Sequence, residues 1–72
     1  MEREKLLQIV KKKLLVTLEL SNGEKHTGTI FYVSNLNKDG DCLIKLKDTK
    51  NNYITTNLKS VSYFQANLQA YR

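Results

Sequence analysis

The stretch LLVTLELSNGEKHTGTIFYVS, residues 14–34, decides the fold of this chain. Apolar residues recur at alternate positions on both sides of Asn22-Gly23, the residue pair that best supplies the positive φ angles of a tight turn. The alternating residues are Leu14, Val16, Leu18 and Leu20 before the turn and Ile30 and Tyr32 after it. Gly28 lies inside the second run, where a missing side chain marks a bulge, a kink or close backbone approach. The stretch therefore predicts two strands joined as a sharply bent hairpin.

The rest of the chain adds one helix and three strands. Residues 2–13 place apolar side chains at helical spacing, with Glu2 and Glu4 in the first turn and lysines in the last, the charge order that suits a helix dipole. Three further runs of period two follow, separated by polar turns and a two-residue corner. The predicted elements are a helix at residues 2–13 and strands at about 14–21, 25–34, 42–48, 53–58 and 61–65, before a short polar tail. We expect a mainly β fold, in which the N-terminal α-helix precedes a five-stranded, strongly bent antiparallel sheet, as in a small open barrel of the SH3-like, OB-like or Sm-like type.

Length and composition restrict the class of protein. The chain, residues 1–72, is predicted to be a single domain of a size that buries only about 60% of its unfolded surface, so self-association would stabilise it. No apolar run approaches the roughly 20 residues that span a bilayer, and the N-terminus lacks the features of a secretory signal. We therefore expect a cytoplasmic protein with no membrane partner. The single cysteine, Cys42, predicts a reduced thiol without a disulfide or a metal.

The residue combinations that enzymes and cofactor sites require are missing from the sequence. His26 has no obvious acidic partner in sequence, and an exposed strand histidine is the simpler interpretation. The three glycines do not form a phosphate-binding loop between a strand and a helix. Asp39-Gly40-Asp41 resembles part of a calcium loop, but the other EF-hand ligands are missing and turn chemistry explains it better. We expect no catalytic residues, no cofactor and no metal.

The net charge of +5 favours an anionic partner, because clustered lysines displace counterions from phosphates. Charge alone does not separate nucleic-acid binding from ordinary solubility charge. Lys11, Lys12 and Lys13 either suit the helix dipole or form a basic rim, and both interpretations can hold together. Polar and aromatic residues recur at strand ends and in loops, where they either contact the bases of single-stranded RNA or are plain loop composition. They are Tyr32, Asn35, Asn37, Lys38, Thr55, Thr56, Asn57 and Lys59.

The last two strands predict self-association. An open five-stranded sheet leaves unpaired backbone groups on its fourth and fifth strands, and neither strand carries a proline or an inward charge to blunt its edge. Head-to-tail pairing of these edges between copies must close into a ring or continue as a filament, and the curvature expected at Gly28 favours closure. The predicted oligomer interface consists of Tyr53, Ile54, Thr55, Val61, Tyr63 and Phe64.

The order of one helix and five strands, together with the motif LLVTLELSNGEKHTGTI, resembles the Sm, LSm and Hfq superfamily over nearly the whole chain. The segment LLQIVKKKLLVTLELSNG, a four-residue spacer before Gly28 and the ending VSYF are most similar to Hfq. The resemblance implies an Sm-like homo-oligomeric ring, a hexamer or heptamer, that binds single-stranded RNA as a chaperone or riboregulator. It also implies that Lys11, Lys12 and Lys13 form the basic rim and that Lys25 lies on the opposite RNA-binding face.

The sequence departs from the RNA-contacting motifs of Hfq at three places. Val33-Ser34 stands in place of Phe-Asp after the second strand, residues 54–59 in place of Tyr-Lys-His, and Glu19 in place of a base-holding aromatic residue. An alternative therefore stays open, in which a divergent Sm-like domain of the ataxin or decapping-factor kind serves as a protein interaction or assembly scaffold with little RNA binding. The basic excess places RNA binding first. The candidate contacts are Lys11, Lys12, Lys13, Lys25, Tyr32, Asn35, Asn37, Lys38, Thr56, Asn57 and Lys59.

Overall fold

A computed structural model describes residues 3–67, which form one α-helix and five β-strands. In chain order these are α1 (Arg3–Lys12), β1 (Leu15–Leu20), β2 (Lys25–Val33), β3 (Leu43–Asp48), β4 (Tyr53–Asn57) and β5 (Val61–Asn67), with a short 3-10 turn (Leu58–Ser60) between β4 and β5. The prediction of a mainly β fold, with an N-terminal helix before a five-stranded antiparallel sheet, is confirmed. Strand β5 continues past its predicted end at residue 65, so the first two residues of the predicted tail belong to the sheet. Glu2 and residues 68–72 lie outside the described residues.

The five strands form one antiparallel sheet in the order β4-β3-β2-β1-β5. Strands β4 and β5 are its two edges and do not pair with each other, so the sheet is not closed into a barrel. Each of these edges therefore has one side of its backbone without a partner strand among residues 3–67. No helix within the described range is long and apolar enough to cross a membrane.

Strand β2 joins the two halves of the sheet. Its residues 25–29 pair with β1 and its residues 28–33 pair with β3, so only Gly28 and Thr29 are common to both pairings. A Cβ atom on Gly28 would lie 2.6 Å from the Cα of Asp48 and still closer to the carbonyl oxygen of Lys47. Because both obstacles are backbone atoms of β3, only glycine fits at this junction. Of the three alternatives that the sequence predicted at Gly28, a bulge, a kink or close backbone approach, the structure shows the close approach.

A bulge in β2 moves one aromatic side chain to the face opposite to the one predicted. Ile30 pairs with Leu46 but Tyr32 pairs with Lys45, so Phe31 is an extra residue between them. The alternation of apolar residues placed Ile30 and Tyr32 on one face, and this prediction is wrong for Tyr32. Ile30 and Leu46 are buried, whereas Tyr32 lies with Lys45 on the solvent side.

The hydrophobic core lies between α1 and the inner face of the sheet. Its buried members come from the helix, from β1 to β3 and from the adjoining loops: Leu6, Ile9, Val16, Leu18, Ile30, Cys42, Ile44, Leu46 and Leu58. The helix packs mainly against β2. Complete burial of a leucine or isoleucine side chain contributes about 1.5–3 kcal/mol, so these residues hold the helix on the sheet. The opposite face of the sheet, here called the outer face, carries mostly polar and aromatic side chains.

The residue that follows helix α1, Lys13, has a left-handed conformation, and β1 begins two residues later. Lys13 has a φ of 55°, its backbone N–H donates to the carbonyl of Val10 (3.1 Å), and the N–H of Leu14 donates to the carbonyl of Ile9 (3.2 Å). These two bonds are those of a Schellman motif, in which the left-handed position is usually glycine. The lysine at this position therefore keeps the chain turning sharply at a cost in backbone strain.

Candidate nucleic-acid interface

The lysines at the end of α1 are all exposed. Lys11 and Lys12 occupy the last helical turn and Lys13 follows it, so their side chains project from one end of the helix. The helix begins at the opposite end beside the loop after β2, where the Nε of Arg3 donates to the carbonyl of Ser34 (2.8 Å). Lys11, Lys12 and Lys13 therefore lie where they suit the helix dipole, and their role as a basic rim stays a prediction.

Two of the candidate loops meet through the carboxylate of Asp41. Its Oδ1 accepts from the backbone N–H of Cys42 (2.9 Å) and from that of Lys59 (2.9 Å), and its Oδ2 accepts from the amide Nδ2 of Asn57 (2.5 Å). The backbone N–H of Leu58 adds a bond to the carbonyl of Cys42 (2.9 Å). Asp41 thus fixes the end of the β2–β3 loop to the 3-10 turn after β4 and brings Asn57 and Lys59 beside that loop.

Several candidate side chains are already engaged within the fold. The Oδ1 of Asn37 accepts from the backbone N–H groups of Asp39 (2.9 Å) and Asp41 (3.0 Å), which makes it a turn residue. The Oδ1 of Asn57 accepts from the hydroxyl of Ser60 (2.8 Å) and its Nδ2 donates to Asp41, so both the oxygen and the nitrogen of this side-chain amide are hydrogen-bonded. Thr56 pairs with buried Ile44 and lies half-buried on the inner face. The structure therefore gives these three residues packing and turn roles.

The other candidates in the β2–β3 loop are accessible. Lys38 is exposed at the loop tip, and Asn35 is exposed with its Oδ1 3.4 Å from the Nη2 of Arg3. Lys25 begins β2 directly opposite Glu19 on β1, where the opposite charges offset each other. Of the predicted basic contacts, Lys25 is thus the one with an acidic cross-strand neighbour.

Asp41 and Asp48 lie at turns, where backbone N–H groups donate hydrogen bonds to their ionised carboxylates. The N–H of Lys59 is the largest cause of a lowered pKa at Asp41, and the N–H of Asn52 is the largest cause at Asp48. Burial raises the pKa of the Cys42 thiol, which keeps it protonated and unreactive. Both carboxylates are therefore ionised parts of turns, and the thiol is part of the core.

His26 has an acidic neighbour, Glu24, that the prediction overlooked. Its Nε2 lies 3.2 Å from the Oε1 of Glu24, and this is the one ion pair among residues 3–67 if the imidazole is protonated. Both residues follow the Asn22-Gly23 turn and are two positions apart, the spacing that puts side chains on the same side of an extended segment. Within the same range no group of three or more His, Cys, Asp or Glu residues could hold a metal ion. That the chain is not an enzyme stays a prediction.

The predicted oligomer-interface residues lie on the two edge strands. Ile54 and Phe64 face inward opposite buried Leu46 and Leu18, and Val61 is half-buried beside them. The remaining three, Tyr53, Thr55 and Tyr63, are exposed. Each edge strand therefore has unpaired backbone N–H and C=O groups on one side, together with apolar or aromatic side chains. Pairing of these edges between copies stays a prediction.

Sequence reasoning missed one cluster on the outer face. Lys45 and Lys47 of β3 lie beside the rings of Tyr32 and Tyr53, and Phe31 contacts Tyr53. The outward alternation of the lysines was visible in the sequence, but their aromatic neighbours depend on strand pairing and on the bulge.

Comparison of this chain with protein-family models, with curated proteins and with solved structures finds no match in any of the three.

Proposed function

We propose that this chain is an Sm-like RNA-binding protein that assembles into a homo-oligomeric ring of six or seven subunits and acts as a chaperone or riboregulator for single-stranded RNA. The observation that carries the proposal is a lysine-rich surface on which no lysine forms an ion pair with a carboxylate within residues 3–67. The whole chain carries a net charge of +5, so this positive charge is available to an anionic partner. A surface of this kind gains affinity for phosphates by releasing counterions.

The distribution of the acidic groups strengthens this argument. Asp41 and Asp48 direct their carboxylates at backbone N–H groups, and Glu24 faces His26. The lysines at the end of α1 are all exposed and are close together in the chain. The three adjacent lysines therefore make the helix end a concentrated group of positive charge that can attract a phosphate backbone.

The edges of the sheet support the assembly part of the proposal. Strands β4 and β5 each leave one backbone edge without a partner strand among residues 3–67, and pairing of β4 in one copy with β5 in the next is heterologous, so it either closes as the proposed ring or continues as a filament. Each square ångström of apolar surface covered there adds about 25 cal/mol.

A second function is favoured by one observation. The amide of Asn57, which lies in the segment where Hfq carries a uridine-contacting motif, is bonded to Asp41 and Ser60 and is not directed at solvent. A scaffold that binds other proteins, with little affinity for RNA, would need no such pocket. The two functions differ in salt dependence, because phosphate contacts weaken steeply with salt and an apolar protein interface does not.

The test is filter binding of uridine-rich and adenine-rich RNA at about 50 and 200 mM salt. Affinity that depends on phosphate contacts falls steeply between these two salt concentrations. We expect binding at low salt that falls steeply at the higher salt. Changing Lys11 and Lys12 to glutamine should make the slope of log affinity against log salt shallower by about 1.4, at roughly 0.7 per phosphate contact with a single strand. Lys13 is left in place because its backbone closes the helix.

A charge-matched variant, Lys5→Gln with Lys50→Gln, controls for the loss of two positive charges elsewhere on the exposed surface. This variant should leave the salt slope closer to that of the unmodified chain. Equal slopes for the two variants would remove the helix end from the account, and an absence of RNA binding at low salt would refute the proposed function.

A further inference from the structure

The outer face carries a cluster of aromatic rings and lysines, here called the aromatic platform, formed by Phe31, Tyr32, Lys45, Lys47 and Tyr53. It extends over three neighbouring strands, β2, β3 and β4. The exposed fractions are 49% for Phe31, 46% for Tyr32 and 70% for Tyr53, so the three rings present a broad apolar area to solvent. The core on the other face of the sheet does not use any of these side chains.

The bulge at Phe31 creates the platform. Because Phe31 is the extra residue in β2, Tyr32 keeps its place opposite Lys45 on the outer face. The ring of Phe31 meets that of Tyr53 above the intervening strand β3, with centroids 5.6 Å apart and planes at 81°. This edge-to-face contact fixes the two rings and leaves part of their surface open.

The two lysines of the platform lie within cation–π range of its rings. The Nζ of Lys45 is 5.5 Å from the ring centroid of Tyr32, and the Nζ of Lys47 is 5.8 Å from that of Tyr53. Both lysines come from β3, two residues apart, so they project in the same direction between the aromatic side chains. Each tyrosine ring therefore has a positive charge beside it.

We infer that the aromatic platform is a base-stacking site for single-stranded RNA, in which Tyr32 and Tyr53 stack on bases while Lys45 and Lys47 contact phosphates. The inference rests on the proposed function and adds a site for the bases to the basic surface for the backbone. Aromatic rings interleaved with cations are how proteins hold exposed bases without reading their sequence. A buried protein interface is a poorer match, because lysines are depleted from the centres of such interfaces.

The chemistry of the platform also predicts its selectivity. Its centre consists of ring faces and ammonium groups, and all four bases offer a face for stacking. We expect it to hold single strands in preference to duplexes, whose bases are already stacked, and to discriminate weakly among sequences.

The test uses the full chain and a short RNA that contains 2-aminopurine, whose fluorescence falls when the base stacks on an aromatic ring. The unmodified chain should quench this fluorescence on binding. The double variant Tyr32→Phe with Tyr53→Phe retains both rings and should behave in the same way. The double variant Tyr32→Leu with Tyr53→Leu keeps apolar side chains but loses both rings, and it should bind at least about tenfold more weakly, with little quenching.

The pair Lys45→Gln with Lys47→Gln gives an independent measurement should the leucine variant fail to fold, which circular dichroism detects. Its salt slope should be shallower by about 1.4, because each of the two phosphate contacts that the variant removes accounts for roughly 0.7. Binding and quenching by the leucine variant that equal those of the unmodified chain would overturn the platform alone. An unchanged salt slope in the lysine variant would also overturn it. If the unmodified chain does not bind the RNA at low salt, both the platform and the proposed function are refuted.

Discussion

Replacing Gly28 with alanine tests how the two halves of the sheet are joined. The new Cβ would lie 2.6 Å from the Cα of Asp48, whereas ordinary contact begins at 3.4 Å, so β2 and β3 would have to separate by at least 0.8 Å, the difference between these distances. The obstacles are backbone atoms of β3, which cannot rotate away as a side chain could. Gly28 is also one of only two residues that pair with both neighbouring strands, so the displacement disturbs both halves of the sheet.

The expected loss of stability is about 3 kcal/mol. Overpacking of this kind costs about 1–3 kcal/mol, and a separation of this size weakens ladder hydrogen bonds worth about 1 kcal/mol each. A chain of this length has a total free energy of unfolding of about 7 kcal/mol, so the variant should keep the fold but melt about 12–24 °C lower. Thermal unfolding followed by circular dichroism measures this change.

The matched control is Gly40→Ala in the β2–β3 loop. Gly40 has a φ of 77°, and a Cβ at this position would have no atom within 4 Å, so alanine there meets backbone strain of about 1 kcal/mol but no steric obstacle. A Gly28→Ala variant as stable as the Gly40→Ala variant would refute the close approach of β2 and β3 at Gly28.

Two further predictions concern the helix end and acid. Lys13→Gly should stabilise the fold by about 0.5–1 kcal/mol, because glycine accepts the left-handed conformation. Gln8→Gly, at an exposed position inside the helix, should destabilise the fold by a similar amount. Urea unfolding measures both variants, and equal effects would contradict the Schellman assignment. The lowered pKa values of Asp41 and Asp48 contribute stability above the ordinary aspartate value of about 3.9, and this is lost as pH falls through the lower folded values. Urea midpoints between pH 6 and pH 2 should therefore fall less for Asp41→Asn than for the unmodified chain, and parallel curves would contradict the role of Asp41.

The order of the elements could be predicted because it depends on local signals. Alternation defined β1, the pair Asn22-Gly23 defined the first turn, and helical spacing defined α1, all without knowledge of tertiary contacts. The special role of Gly28 was also visible, because a glycine inside a strand usually marks a bulge or a close backbone approach. The structure contains the helix, the hairpin of β1 and β2, and the close approach of β2 and β3 at Gly28.

The candidate site was less predictable because it depends on which strands are neighbours. The bulge at Phe31 arises from the pairing of β2 with β3, and nothing in the alternation of Ile30 and Tyr32 announces it. The bridge from Asp41 to Asn57 likewise joins residues 16 positions apart, so the sequence showed two loops and not their junction. Side chains that looked available for RNA therefore turned out to be structural, while Lys45 and Lys47 acquired aromatic neighbours.

The most direct test of the central claim is sedimentation velocity of the chain with a fluorescently labelled single-stranded RNA at low salt, recorded by both the label and the peptide absorbance. The account predicts that the label sediments with protein of six or seven times the 8.3 kDa mass of one chain. It also predicts that the label is released when the salt is raised. A chain that sediments at 8.3 kDa at micromolar concentration, with the label left free, would contradict it.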